Sequence, residues 1–376
     1  MKIIEYQNTY ENEVMQLFYK SVFYNRKEFE YARLPTWSHR YNVEGKTIRR
    51  LAVDNGKVIG SLGLLPYEGF INKKKYNLGF FVDNCIHPDY SQDTNDILFD
   101  LFQDVEHAAK KEKIQGILGW DYTQKTDTQK NIFDKLNYLR VNGINWIGGG
   151  TKHIHAFFKS NEKLGIHWRI GFSLLNIKFY FKDMLLKTPK NLFLRSIKQD
   201  DLKDVVDLLN SHNKNLLFYP TYTKSSLSEK IKKYCAEAIV AEFNGKIVGV
   251  IIYFKAPWSG WMYGKPFYTK SSTMFLIRHP LEFVVQQEFT EQIAPHLILQ
   301  AMKNEYTNEK YLMLVDVFDS RIKWMKDAYY KIGATELPYD YGTLLYKMLD
   351  GTDLSSDSLF YIPTNLVISP YTTKEY

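Results

Sequence analysis

Asn55-Gly56-Lys57-Val58-Ile59-Gly60 returns, roughly 190 residues later, as Asn244-Gly245-Lys246-Ile247-Val248-Gly249. Each reads as a hairpin turn whose left-handed backbone suits Asn-Gly, set between a preceding strand (Leu51 to Asp54, Ile239 to Phe243) and a β-branched one. A second pair follows at nearly the same spacing. Lys135-Leu136-Asn137 stands against Lys331-Ile332-Gly333, where a helix can end in a residue that tolerates the left-handed region. Another is Phe157-Phe158-Lys159 against Leu345-Tyr346-Lys347. One such match arises by chance, since Asn-Gly hairpins are common, but three in one order at nearly one spacing argue for duplication. The chain therefore folds as two copies of one design, and its 376 residues suffice for two cores.

Tyr311 to Ala334 shows the design most clearly. Leu312, Leu314, Val315 and Val317 make a strand apolar enough to be covered on both faces. Asp319 and Ser320 offer an N-cap, Ile322, Met325, Tyr329 and Ile332 recur at helical spacing, and Gly333 ends the helix. Ile114 to Tyr138 repeats this construction. Ahead of it the first copy carries a strand at Lys2 to Tyr6, a helix from Tyr10, a long strand from Leu78 to Ile86 stopped by Pro88, and a helix from Asn95 to Lys113. Ile97, Leu98, Leu101, Phe102 and Val105 face inward on that helix, and a closing hairpin runs from Leu139 to Phe158. The second copy carries a strand at Leu192 to Ile197, a helix capped by Asp200, a helix at Lys224 to Cys235, a strand at Leu281 to Phe289, and a helix opened by Pro295.

This order predicts an α/β architecture of mixed sheets, with domains at 1–160 and 191–350, a connector at 161–190 and a tail at 351–376 that docks or stays loose. Residues 256–272, rich in Trp, Tyr and Phe among Gly and Pro, read either as a pocket wall or lid or as a packed loop.

The totals narrow the function classes. With 45% hydrophobic and 24% charged residues the chain is an ordinary soluble protein, and no apolar run is long enough to span a bilayer. Its start lacks the pattern of a signal peptide, so the expected location is the cytoplasm. Cys85 and Cys235, one in each half, make neither a metal spacing nor a disulfide framework. The net charge of +7 is spread out rather than gathered into a nucleic-acid patch. His153 and His155 share a strand face without a third ligand, so no metal is expected. Composition leaves the oligomeric state open.

Taken in order, each copy runs strand, helix, hairpin, long strand, helix, strand, helix and closing hairpin, with Tyr329-Tyr330-Lys331-Ile332-Gly333 ending the last helix of the second. This resembles the GNAT superfamily of acyl-CoA-dependent N-acyltransferases, as two GNAT-like domains in tandem over most of the chain. The resemblance implies a loop after the fourth strand, written Arg-x-x-Gly-x-Gly/Ala in the family, whose backbone N–H groups hold the coenzyme pyrophosphate. It also implies that a tyrosine four residues before the late glycine protonates the departing thiolate, which here is Tyr329. In the first copy the loop Ser91 to Asp96 has no glycine or arginine but two carboxylates, with Asp93 or Thr94 as helix cap, and Phe133 stands at the tyrosine position. That copy is expected to be degenerate.

In the second copy, Phe289-Thr290-Glu291-Gln292-Ile293-Ala294 aligns with the loop, so the resemblance implies coenzyme binding at Gln292, Ile293, Ala294 and His296. Asp316 is the candidate base among Asp316, Asp319 and Glu288, because its strand setting can raise its pKa; an outward-facing or capping aspartate is the other reading. The expected activity is transfer of an acetyl or related acyl group from acetyl-CoA or another acyl-CoA to a small-molecule or peptide amine. Nucleic acid enters only through the alternative, a Fem-type transferase using aminoacyl-tRNA, and a non-catalytic binding protein is the remaining reading.

Overall fold

Both Asn-Gly pairs turn as their sequence requires. In the computed structural model Asn55 and Gly56 have φ of 48° and 78°, and Asn244 and Gly245 have 52° and 77°, the left-handed values that let a two-residue turn match strand twist. The structure describes residues 1–20, 29–31, 41, 45–121, 132–141, 143–150, 174, 185–262, 265–266, 275–303, 311–336, 343–354 and 358–367. His153, His155, Phe157 to Lys159, most of the connector and much of the aromatic insertion lie outside them.

The first half of the sequence carries β1 (Lys2–Glu5), α1 (Glu11–Lys20), β2 (Phe29–Tyr31), β3 (Ile48–Asp54), β4 (Lys57–Ile71), β5 (Lys74–Ile86), α2 (Thr94–Lys111), β6 (Gly116–Asp121), β7 (Leu139–Val141) and β8 (Ile144–Gly150). The second half opens with β9 (Leu192–Ser196), α3 (Leu202–Asn213), β10 (Leu216–Leu217), α4 (Lys224–Lys233), β11 (Glu237–Phe243), β12 (Lys246–Met262) and β13 (Lys265–Pro266). It continues with β14 (Phe275–Val285), α5 (Thr290–Lys303), β15 (Tyr311–Asp319), α6 (Lys323–Lys331), β16 (Thr335–Glu336), β17 (Thr343–Met348), β18 (Leu359–Phe360) and α7 (Thr364–Val367). No described helix is long and apolar enough to cross a membrane.

Two mixed sheets follow one plan. The first is ordered β1-β3-β4-β5-β6-β17-β7 and the second β9-β11-β12-β14-β15-β8-β16. In each, the fourth and fifth strands run parallel and pair only briefly, at Leu78–Gly116 to Phe80–Leu118 and at Leu276–Tyr311 to Arg278–Leu314. Beyond those pairs the strands part, which opens the sheet at one end. In the first unit α2 lays Ile97, Leu98, Leu101, Phe102 and Val105 into a core with Ile59, Phe81, Phe133 and Tyr138.

The closing strands depart from the expected plan, because they are exchanged. β17, from the second half, runs antiparallel to β6 and β7, while β8, from the first half, runs antiparallel to β15 and β16. The compact units are accordingly Met1–Asn142 with Ser259–Pro266 and Asp340–Ser358, and Gly143–Trp258 with Phe267–Tyr339 and Leu359–Tyr376. This corrects the boundaries expected at 160 and 191. A strand makes the same ladder hydrogen bonds in either sheet, so its own alternation cannot say which sheet it completes. The tail divides as well: Leu359 and Phe360 pair in parallel with Leu216 and Leu217, docking it on the second unit.

Helix ends follow the sequence at the C-terminal side and depart from it at the N-terminal side. Gly333 (φ 90°) and Asn137 (φ 59°) are both left-handed. Ala334 N–H donates to Tyr329 O and Gly333 N–H to Tyr330 O, and Tyr138 and Asn137 do the same to Phe133 and Asp134. These matching caps make Phe133 and Tyr329 equivalent positions. The expected N-caps at Asp93, Asp200 and Asp319 are not formed. Asp93 precedes α2 without a side-chain cap bond, Asp200 lies inside a short 3-10 turn, and α6 begins only at Lys323. Thr94, the other candidate cap, is the first residue of α2, and its hydroxyl donates to Tyr90 O. Asp319 takes a different role, accepting from Nε and Nη2 of the Arg321 guanidinium and from Phe360 N–H.

Candidate active site

Asp316 and Asp319 lie three residues apart on β15, so the pleat sends them to opposite faces of the sheet. Asp319 meets Phe360 of the docked tail, and Asp316 meets α6. There the Tyr329 hydroxyl donates to Asp316 Oδ2 at 2.8 Å, and Val317 N–H donates to Oδ1 at 2.8 Å. Both side chains are buried, Asp316 at 4% and Tyr329 at 1% exposure, which separates this pair from a surface hydrogen bond. The ring of Tyr329 stacks on Phe318 at 5.9 Å and meets Phe283 edge-on at 6.3 Å.

Burial is the main cause of an unusual titration. It pushes Asp316 up to about 7, against the two hydrogen bonds that favour the carboxylate. It also pushes Tyr329 well above the usual phenol range, and the neighbouring Asp316 charge adds to that. At neutral pH the phenol keeps its proton while Asp316 is poised between its two states. The pair can therefore both give and accept a proton.

The opening between β14 and β15 lies beside this pair. At its inner end His279, fully buried, donates from Nδ1 to the carbonyl of Val315 at 2.9 Å, linking the strands just past their last ladder pair. Burial pulls this imidazole down to about 3, so it is neutral.

The four residues implied for coenzyme binding do not share one environment. α5 begins at Thr290, five residues before Pro295, so Pro295 lies inside the helix rather than at its first position. The N-terminal turn is Thr290 to Gln292, and of the four only Gln292 belongs to it, with an exposed side chain. Ile293, Ala294 and His296 are buried. Pro295 has no N–H to give the carbonyl of Glu291, and Lys331 Nζ donates to that carbonyl at 3.0 Å. Phe289, at the arginine position, packs its ring on Phe243 at 5.2 Å, and Glu288 and Glu291 add carboxylates to the turn.

The first unit lacks the proton pair. Phe133 occupies the equivalent of Tyr329 and packs edge-on against Phe102 at 5.1 Å. Its loop, the 3-10 turn Pro88–Tyr90, carries Asp89, and Asp96 lies in the first turn of α2.

Sequence reasoning missed a second buried carboxylate, Glu282, which accepts from Tyr222, Tyr361 and Lys230. Glu282 lies inside the strand expected from Leu281, flanked by Leu281, Phe283 and Val284, but its partners Tyr222, Lys230 and Tyr361 are distant in the sequence and no local pattern joins them to it.

No family model and no curated protein matches the sequence. Solved structures do match. Saccharomyces cerevisiae N-myristoyltransferase with bound myristoyl-CoA and inhibitors superposes with a TM-score of 0.59 at 11% identity, over 95% of this chain and 85% of that one. A tandem GNAT protein from the clavulanic acid biosynthesis pathway gives 0.56 at 10% identity, over 94% and 99%. An Enterococcus faecalis protein described as a probable N-acyltransferase gives 0.51 at 8% identity, over 93% and 73%. With two sheets of one strand order and a tandem GNAT structure matching along nearly its whole length, the chain has a tandem GNAT-like fold.

Proposed function

We propose that the protein is a cytoplasmic N-acyltransferase that moves an acyl group, acetyl or longer, from acyl-CoA to the amine of a small molecule or peptide, with the second unit as the catalytic copy. The observation that carries this reading is the buried Asp316–Tyr329 pair beside the opening between β14 and β15. A thioester lying in that opening presents its sulfur to the phenol. As the amine attacks, Asp316 takes up the amine proton, the C–N bond forms and the C–S bond breaks. Tyr329 protonates the leaving thiolate and recovers its proton from Asp316, so the amine proton ends on the thiol. The first turn of α5 holds the pyrophosphate through backbone N–H groups near Gln292. Ile293, Ala294 and His296 support that turn from the core. Glu288 and Glu291 weaken the anion site without removing its donors.

Calorimetric titration of the full chain with acetyl-CoA, followed by thiol release in the presence of an amine panel, tests this reading. Binding with amine-dependent thiol release is expected. Absence of both overturns the enzymatic reading in favour of a binding protein. Glu288→Gln with Glu291→Gln should tighten the coenzyme by a factor of roughly three to thirty if this turn is the site, from about 0.3–1 kcal/mol for each of the two removed charges. Asp89→Asn with Asp93→Asn, in the degenerate loop, should change nothing.

A further inference from the structure

On the sheet face opposite Asp316, the second unit holds a cluster that the acyl transfer just described does not use. Glu282 sits on β14 past its last pair with β15, next to the register shift opposite Ile252 and Tyr253 that places Leu281 as an extra residue in the strand. It is 4% exposed. Its Oε1 accepts from the Tyr222 hydroxyl, from the Tyr361 hydroxyl at 2.5 Å, and from Lys230 Nζ at 3.3 Å. The same Lys230 ammonium reaches the Tyr222 hydroxyl and lies 4.9 Å from the centre of that ring. Tyr222 is itself held at both backbone groups by the Asn210 amide, at 2.8 Å each. A lysine amine of α4 is thus fixed by a carboxylate, a phenol and an aromatic face, and the carboxylate belongs to β14, the strand that borders the opening assigned to the thioester.

We propose that Lys230 is an acyl acceptor of the chain itself: given an acyl thioester, the protein acylates its own Lys230 Nζ, with Glu282 as the proton acceptor. The inference rests on the acyl-thioester reading above. The ammonium proton passes to Glu282, and the Nζ lone pair forms the C–N bond as the C–S bond breaks. The second amine proton goes to solvent, and Tyr329 protonates the thiolate and is reloaded from solvent through Asp316. The products are an amide at Lys230 and a free thiol. Geometry favours this lysine over its neighbours. Lys232 and Lys233, on the same helix, are exposed, whereas the Lys230 side chain is 18% exposed and touches a carboxylate. Burial also lowers its pKa, against the pull of Glu282, which raises the fraction of free amine. Acylation removes the Lys230 cation from Glu282, the one ion pair Glu282 makes among the described residues, and leaves the Tyr222 and Tyr361 hydroxyls on that carboxylate.

The test is site-resolved. The full chain is incubated with acetyl-CoA, digested, and acetyl occupancy is followed at each lysine by mass spectrometry. Lys230 is expected to label faster than Lys232 and Lys233 by roughly 10²-fold, the lower range for a positioned general base. Glu282→Gln should erase that lead while leaving the two exposed lysines unchanged. Where Glu282→Gln fails to fold, Tyr361→Phe, which removes one hydroxyl, serves instead and should change the Lys230 rate alone. Lys230→Arg confirms the assignment by losing the labelled peptide. Exposed lysines labelling ahead of Lys230 overturns the inference. Calorimetric binding of acetyl-CoA without Lys230 labelling overturns this inference alone, and no binding overturns it together with the reading it rests on.

Discussion

Asp316 and Tyr329 make opposite demands on pH. The carboxyl has a raised folded pKa of about 7, so between its ordinary value and 7 the folded state binds the proton that the unfolded chain has lost. Stability therefore falls as pH rises through this window and levels off above it, by at most about 4 kcal/mol for this one group. Asp316→Asn keeps an acceptor for Tyr329 and removes the titration. It should match wild type near pH 4 and exceed it above pH 7, read by urea denaturation at each pH. Activity should run the other way, with wild-type kcat/KM rising through about pH 7 as the base ionises, and with that step absent in Asp316→Asn. Tyr329→Phe keeps the ring on Phe318 and removes only the proton. Turnover with acetyl-CoA and an accepted amine should drop by roughly 10² to 10⁴, with about 1–3 kcal/mol of stability lost from the unpaired Asp316 oxygen. Full turnover would leave Tyr329 as a core aromatic. Tyr330→Phe is the control, since Tyr330 is exposed and donates to Glu336, and it should do little.

Among the elements, the exchanged strand β17 is tied by more than its ladder. Lys347 donates from Nζ to Glu106 Oε2 of α2 at 2.7 Å and lies 5.3 Å from the Tyr138 ring centre. Glu106 is buried, so Lys347→Met leaves a carboxylate without its cation and should cost about 3–5 kcal/mol in chemical denaturation. Lys347→Met combined with Glu106→Met should recover most of that loss, because replacing both members leaves no unpaired charge. A double variant no more stable than the single one would deny the pair this role. The end of α6 offers a second test. Gly333 has φ of 90°, and Gly333→Ala should lose about 1–2 kcal/mol. Asn137 performs the same turn in the first unit with a side chain, which is why the two copies remained recognisable there although their sequences differ.

For the whole molecule, exchange makes each half of the sequence incomplete. Residues 1–142 expressed alone lack β17, which leaves the facing edges of β6 and β7 unpaired, a state prone to aggregation. Poor solubility alone and rescue by co-expression of residues 143–376 are expected, and a soluble, cooperatively folding 1–142 fragment would contradict the exchange. The sequence by itself determined the hairpin turns and the C-terminal helix caps. Asn-Gly and Gly333 act through backbone angles that only a few residues tolerate, so they are legible wherever they stand. It also determined the amphipathic faces of α2 and α6 and the tandem architecture, because duplication leaves its period in the order of those local signals. Other features were decided only by the tertiary structure. Which sheet takes β8 or β17 depends on two edges far apart in the chain, and the two ladders offer equivalent bonds. The start of α5 moved to Thr290 because Lys331, from another helix, satisfies the carbonyl that Pro295 leaves open. The titration of Asp316 comes from burial, and the hold of Lys230 on Glu282 from contact across the fold. Neither quantity exists until the chain has folded.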